Sequence, residues 1–301
     1  MRLLIFITML ASTIRAELIP EVRSALETNN FALGDSLIDG YRARTGVTPE
    51  MLEALSWLGR GALARKNLDQ AGAYAERTHK LAVEQMKTHS LARDKNLQIA
   101  LGAAIEVQGQ VLAARGERGE ALAYLRKELA AYRNTPVRAR IQKNILLLDL
   151  VGKPAPALDE HEFLGPKPVA LSALKGKPVL LFFWAHWCGD CKLERRELSV
   201  VKKQFAAQGL VLIGPTQRYG YAAKGEDASP QAELQYIDEI RKKYYLDLAD
   251  MPVPVSEENL KNYGASTTPT LVLIDKHGIV RMYHPGSMSA EELAAAIRPV
   301  L

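Results

Sequence analysis

One short stretch of the sequence decides the fold of the second half of the chain. Residues 178–191 read PVLLFFWAHWCGDC, an apolar run that ends at two cysteines. The apolar run has the length of one strand, and its lack of polar alternation favours a strand covered on both faces of a sheet. After Gly189 the pattern becomes helical and charged as far as residue 207. This change predicts that Cys188 lies at or just before the first turn of a helix.

The two cysteines, Cys188 and Cys191, are the only ones in the chain. A disulfide between them would close a loop of four residues, which restrains the unfolded chain very little, so a structural role is weak. A helix N-terminus favours a thiolate at Cys188, and Cys191 lies one turn later, where it can attack a mixed disulfide. A zinc site would need a second pair of ligands at matching spacing, which the sequence lacks. The pair therefore predicts thiol–disulfide exchange, with no metal and no bound cofactor.

The residues after the pair complete an α/β domain. Apolar runs at 210–213, 270–274 and 279–283 predict three more strands, of which the last two form a hairpin. Helical patterns at 229–245 and 289–297 supply the covering layers. The order of these elements predicts one mixed sheet with helices packed on it.

The first half of the chain, residues 17–150, reads as helix throughout and is rich in Ala, Leu, Glu, Arg and Lys. Two stretches beginning near Gly59 and Gly109 share small and apolar residues at the same spacing, which resembles the tetratricopeptide helix-turn-helix pattern. Their separation of 50 residues is longer than that repeat, so a plain bundle of helical hairpins explains the pattern equally well. The predicted fold class is therefore an all-α domain at 17–150, with a surface for a protein partner, followed by an α/β domain at 151–301.

The first 16 residues have the three parts of a secretory signal peptide. Arg2 provides the positive start, Leu3 to Leu10 form the apolar core, and small residues lead to Ala16. The apolar core is much shorter than the ~20 residues that a membrane-spanning helix needs. We therefore expect export and removal of this segment; the alternative is that it opens the first buried helix. The net charge of +5 is spread along the chain, which argues against a nucleic-acid partner.

A further pattern is carried by four segments of the second half, which are residues 151–156, 174–191, 268–275 and 277–280. Together they resemble the exported TlpA/ResA-like branch of the thioredoxin superfamily. The resemblance implies a thioredoxin fold in which a cis peptide bond precedes Pro269, whose loop faces the cysteines and pairs with an incoming polypeptide. It places substrate binding at Trp187, Thr268 and Pro269, and tuning of the reduction potential at Gly189 and Asp190.

Glu194 follows Cys191 by three residues and shares its helix face. The resemblance implies a glutamate at this spacing in exported members, whereas cytosolic thioredoxins place a buried carboxylate six residues before the first cysteine. Phe182 stands at that earlier position here and cannot carry a proton. Glu194 is therefore the candidate to deprotonate Cys191. The alternative is an exposed glutamate paired with a basic side chain.

Three features depart from the family pattern. Asp190 replaces the usual proline between the cysteines, and its negative charge opposes a thiolate, which favours a reducing role. Arg196 stands where the family has a proline that kinks the helix. Residues 217–250 form a long polar stretch with five tyrosines, either a substrate-facing insertion or a longer helix.

These observations favour reduction of protein disulfides outside the cytoplasm. Because the chain has no third cysteine to relay electrons, it needs an external electron donor, of which a membrane thiol reductase is the expected kind. In the alternative function, the helical half binds a partner and the thioredoxin-like half senses redox state. A thiol peroxidase is disfavoured, since residues 183–187 lack the Thr/Pro-rich pocket that such an enzyme needs.

Overall fold

The computed structural model describes residues 17–301. The predicted signal peptide, residues 1–16, lies outside the described residues. The chain forms two compact units that divide between Gln108 and Gly109. The change of composition at residue 150, which we take as the domain boundary from the sequence, lies within the second unit. That boundary stays a proposal.

Seven α-helices account for the helical half, as its composition predicts. They are α1 (Leu18–Glu27), α2 (Phe31–Thr45), α3 (Pro49–Ala64), α4 (Leu68–Gln85), α5 (Lys95–Ala114), α6 (Arg118–Ala131) and α7 (Arg138–Asp149). Among the described residues, α5 is the one helix long and apolar enough to cross a membrane, but 56% of its apolar window is buried, as in the core helix of a folded domain.

Helical hairpins explain the two similar stretches of the sequence. Helix α3 packs on α4, and a Cβ atom at Gly59 would lie 3.4 Å from the Cβ of Tyr74 on α4. In the second unit, a Cβ atom at Gly109 on α5 would lie 2.8 Å from a methyl carbon of Leu125 on α6. Glycine therefore permits a close approach of paired helices in both stretches. The tetratricopeptide assignment itself stays a prediction.

The second half is an α/β domain built on a four-stranded sheet. The strands of the whole domain are β1 (Phe163–Leu164), β2 (Val179–Phe183), β3 (Val211–Ile213), β4 (Val253–Pro254), β5 (Thr270–Ile274) and β6 (Val280–Pro285). The sheet has the order β3-β2-β5-β6, in which β2 is parallel to β3 and antiparallel to β5, while β1 and β4 form a separate short pair. The four predicted strands are confirmed.

The central strand β2 is covered on both faces, as its unbroken apolar run predicts. Leu180 and Phe182 join one buried cluster, together with side chains of α8 (Gly189–Phe205), α9 (Pro230–Tyr244) and α11 (Ala290–Ile297). Val179, Leu181 and Phe183 join the cluster on the opposite face. Because successive side chains of a strand point to opposite faces of the sheet, this one apolar segment contributes to two cores.

The opposite face is covered by α10 (Glu257–Asn262), which the sequence pattern does not predict, and by the end of α7. Leu146 and Leu150 belong to the same buried cluster as Phe183. At the surface, the Arg138 guanidinium donates to Asn262 Oδ1 at 2.8 Å and pairs with Glu258 at 3.2 Å. Helix α7 is therefore part of the unit that contains the sheet.

Gly264, which follows α10, lies in close contact with the backbone of α7. Its φ is +57°, and a Cβ atom there would lie 2.3 Å from the backbone nitrogen of Lys143. We expect Gly264→Ala to lower the free energy of unfolding by about 3 kcal/mol, because it combines a strained backbone with a clash against a helix. Urea unfolding of the full chain measures this. Gly119→Ala is the matched control, since a Cβ atom at Gly119 meets nothing within 4 Å, and equal midpoints for the two variants would contradict the packing described here.

Candidate active site

The cysteine pair lies at the N-terminus of α8, as predicted. Cys188 is the N-cap residue, and the backbone N–H of Cys191 donates to its Sγ at 3.0 Å. The structure holds the pair as a disulfide, with a Cα–Cα distance of 5.3 Å. Cys188 is 3% exposed and Cys191 is fully buried, so Cys188 is the more accessible residue of the pair. The Cys191 N–H group that Sγ accepts and the positive end of the helix dipole both favour a thiolate at Cys188.

The Thr268–Pro269 loop faces this sulfur from the start of β5. The peptide bond between Thr268 and Pro269 is cis, as the resemblance implies. The Thr268 carbonyl oxygen lies 3.5 Å from Cys188 Sγ. The loop is anchored because the Thr270 hydroxyl donates to the Thr267 carbonyl at 2.7 Å and Pro269 accepts from Gly286 N–H at 2.8 Å. A polypeptide that reaches Cys188 therefore meets the backbone of this loop.

Glu194 is buried, with 3% of its surface exposed, so the alternative of an exposed, ion-paired glutamate is wrong. Its carboxylate accepts the backbone N–H of Met288 at 3.1 Å and a hydrogen bond from the Ser287 side chain. Burial raises the pKa of the Glu194 carboxyl, and these two hydrogen bonds oppose the rise. A carboxyl group with a raised pKa, one helical turn from Cys191, is suited to exchanging a proton with a thiol.

The remaining predicted positions surround Cys188. Gly189 and Asp190 are exposed in the first turn of α8, and a Cβ atom at Gly189 would meet open space. Trp187 is 49% exposed, which is unusual for so large an apolar side chain. Phe182, at the position of the cytosolic carboxylate, is buried and packs on Tyr245 with ring centroids 5.9 Å apart.

The polar stretch after β3 turns out to be both a loop and a helix. Residues 217–229 form the loop, and α9 follows it. The loop leaves the sheet beside the active-site strand, where the Thr216 hydroxyl donates to the Trp184 carbonyl at 2.7 Å. Farther along, Arg218 makes a two-pronged ion pair with Glu162, with N–O distances of 2.5 and 2.6 Å. These contacts fix the start of the loop next to the strand that leads to the cysteines.

A buried polar pair, which the sequence pattern does not predict, lies beneath this loop. His186 and Glu233 are each 1% exposed, and His186 Nε2 lies 3.1 Å from Glu233 Oε1. Burial lowers the pKa of His186, although the Glu233 carboxylate opposes that shift. The one available signal was a histidine within an apolar segment; its partner is 47 residues away and could not be assigned from the sequence.

A sheet of this order, with two cysteines at a helix N-terminus and a cis-proline loop opposite them, defines a thioredoxin-like thiol–disulfide oxidoreductase. A family described as a thioredoxin-like domain matches residues 168–301. The thiol:disulfide interchange protein DsbE of Pseudomonas aeruginosa is 35% identical over 133 residues, which cover 44% of this chain and 64% of that protein. The protein of the same name from Escherichia coli K12 is 31% identical over 153 residues, covering 50% and 74%.

A solved structure from Chlorobium tepidum, called a thiol:disulfide interchange protein of the thioredoxin family, is 22% identical, with a TM-score of 0.39. It covers 50% of this chain and 98% of that one. On the sequence matches, the chain belongs to the family of DsbE-type thiol:disulfide interchange proteins. The match to the family model, at residues 168–301, lies within the second half of the chain.

Proposed function

We propose that this protein reduces disulfide bonds of polypeptides outside the cytoplasm, with Cys188 as the attacking thiolate and Cys191 as the resolving thiol. The observation that carries this proposal is the hydrogen bond from Cys191 N–H to Cys188 Sγ at the N-terminus of α8. That donor and the helix dipole stabilise a thiolate at Cys188 more than at Cys191, and the thiolate is the nucleophile.

The reaction needs two exchanges. The Cys188 thiolate attacks one sulfur of the substrate disulfide, which forms a mixed disulfide and releases the other substrate sulfur as a thiolate. Cys191 then loses its proton to Glu194 and attacks Cys188 Sγ, which releases the second substrate sulfur as a thiolate and leaves the Cys188–Cys191 disulfide. Two electrons pass from the dithiol to the substrate. The disulfide is the form that an external dithiol must reduce before the next cycle.

Asp190 supports the reducing direction. Its carboxylate is exposed in the first turn of α8, beside the position where the Cys188 thiolate forms. A negative charge there raises the free energy of the thiolate, and therefore of the reduced state. A pair whose reduced state is less stable gives up electrons more readily, so its reduction potential is more negative.

The reduction potential of the Cys188–Cys191 pair tests this direction. We expect a value near or below about −270 mV for the protein equilibrated with dithiothreitol or glutathione buffers. We expect Asp190→Asn, which removes the charge and keeps the size, to shift the potential by about 20 mV toward less negative values. A potential near −120 mV, about that of strong oxidants, would instead assign the protein to disulfide formation.

The extracytoplasmic location rests on the N-terminal segment, with Arg2, its apolar core and the small residues before Ala16. The external electron donor follows from the cysteine count, because two cysteines can hold only one disulfide. We propose a membrane thiol reductase as that donor, and polypeptide disulfides as the substrates. In this proposal the helical half is the place for a further protein partner.

A further inference from the structure

The loop between β3 and α9 is closed on itself next to the active site. Ala228 N–H donates to the Gly220 carbonyl at 3.0 Å, and Ala222 N–H donates to the Glu226 carbonyl at 2.9 Å. These bonds shape residues 220–228 into a small hairpin-like turn. Tyr219 stands at its base, where the turn meets the active-site segment.

Glu233 fixes the base of this turn from below. Its carboxylate accepts the backbone N–H groups of Tyr219 and Gly220, the second at 2.8 Å, and it also contacts His186 Nε2. One buried carboxylate therefore satisfies two loop amides and one ring nitrogen of the active-site segment. Among the described residues, His186 Nδ1 has no hydrogen-bond partner, so this ring is held at one end only.

Aromatic rings enclose the histidine on the remaining sides. The ring centroids of Tyr219, Tyr221 and Tyr236 lie 5.6, 5.3 and 5.3 Å from that of His186, all in edge contacts. Tyr219 also makes an edge contact with Trp187, at 5.5 Å. Tyr219 thus connects the buried pair to the exposed ring that adjoins Cys188.

We propose that His186 and Glu233 are positioning residues that hold Tyr219 against Trp187, and that these two rings form an aromatic wall beside Cys188 for an apolar side chain of the substrate. This inference rests on the proposed function and specifies its substrate class: polypeptides with an apolar residue next to the disulfide. The wall consists of residues 187 and 219, and the exposed face of Trp187 is one residue from the attacking sulfur.

The chemistry of the wall favours a polypeptide over a small charged disulfide. Aromatic faces and edges gain most from contact with apolar or aromatic groups. A polypeptide can place such a side chain on the wall while its backbone lies along the Thr268–Pro269 loop. Oxidised glutathione carries charged groups and no apolar side chain, so it gains little from the wall.

The test compares two disulfide substrates, insulin and oxidised glutathione, with the reduced full-length protein. We expect Tyr219→Ala and Glu233→Gln to lower kcat/KM for insulin about tenfold relative to kcat/KM for oxidised glutathione, mainly through KM. In Glu233→Gln, one carboxamide N–H group must face a loop or ring donor, which releases Tyr219. Tyr219→Phe keeps the ring, so its ratio of kcat/KM for insulin to kcat/KM for oxidised glutathione should equal that of the wild type.

Glu239→Gln is the matched control, because Glu239 is an exposed acid on the same helix as Glu233. Thermal unfolding of each variant separates loss of fold from loss of the wall, since a global effect lowers both activities together. An equal loss on both substrates, or an unchanged ratio in Tyr219→Ala, overturns the proposal. If the wild-type protein reduces neither substrate, the proposed function itself fails. If the wild-type protein reduces both substrates and the ratio is unchanged in Tyr219→Ala, only the aromatic wall fails.

Discussion

Cys188→Ser is expected to lower the turnover of protein disulfides by about 10³-fold or more, because it removes the only sulfur that the structure equips as a nucleophile. Cys191→Ser should behave differently. It leaves the attacking thiolate and removes the resolving one, so the first exchange proceeds and the second cannot. The variant should accumulate a covalent adduct with its substrate through Cys188.

Non-reducing electrophoresis and mass spectrometry measure the adduct directly. The adduct should form with Cys191→Ser, disappear on addition of dithiothreitol, and be absent with Cys188→Ser. The physical basis is the asymmetry of the pair: Cys188 accepts an N–H group at the helix N-terminus, whereas Cys191 is fully buried. If Cys188→Ser forms the adduct instead, then the attacking and resolving roles are reversed.

Glu194→Gln is expected to slow the resolving step by about 100-fold, because a carboxamide cannot accept the proton of Cys191. Quenched single-turnover reactions measure this step as the decay of the mixed disulfide. Glu197→Gln is the matched control, since Glu197 lies on the same helix and accepts the Ala290 N–H at 2.8 Å. Equal decay rates for Glu194→Gln and the wild type would exclude Glu194 as the proton acceptor.

The same variant should be more stable than the wild type near neutral pH. The folded-state pKa of Glu194 is raised above its ordinary value of 4.5, so the folded state binds more protons than the unfolded state just above that pH. The wild type therefore loses stability as the pH rises from 4.5 through the raised pKa. A glutamine keeps an acceptor for Met288 N–H without the charge. Urea unfolding at acidic and neutral pH should show a gain for the variant only at the higher pH.

The strands and the cysteine pair were predictable because they depend on local pattern. The run that ends at Trp184 has strand length, and Cys188 directly precedes a helical segment, so both positions follow from neighbouring residues. The capping box of α11 is local in the same sense, because Ser289 and Glu292 bond to each other across one turn. The resemblance to exported thioredoxins then supplied the cis bond before Pro269.

The features that escaped prediction depend on contacts between distant residues. The burial of Glu194 requires the turn at Met288, which is 94 positions away. His186 meets Glu233 only because the loop after β3 folds back over the active-site strand. The short helix α10 has six residues, too few for a periodic pattern to show. Sequence pattern therefore located the reacting atoms and left their surroundings open.

Helix α7 has a consequence for how this redox unit can be moved between proteins. By composition it belongs to the helical half, yet Leu146 and Leu150 share a core with the sheet and Lys143 rests on Gly264. A gene fusion or truncation made at residue 151 would cut through that core and uncover the apolar surface around Phe183. We therefore expect the smallest portable redox module of this chain to begin no later than Arg138, inside the part that its composition assigns to the other domain.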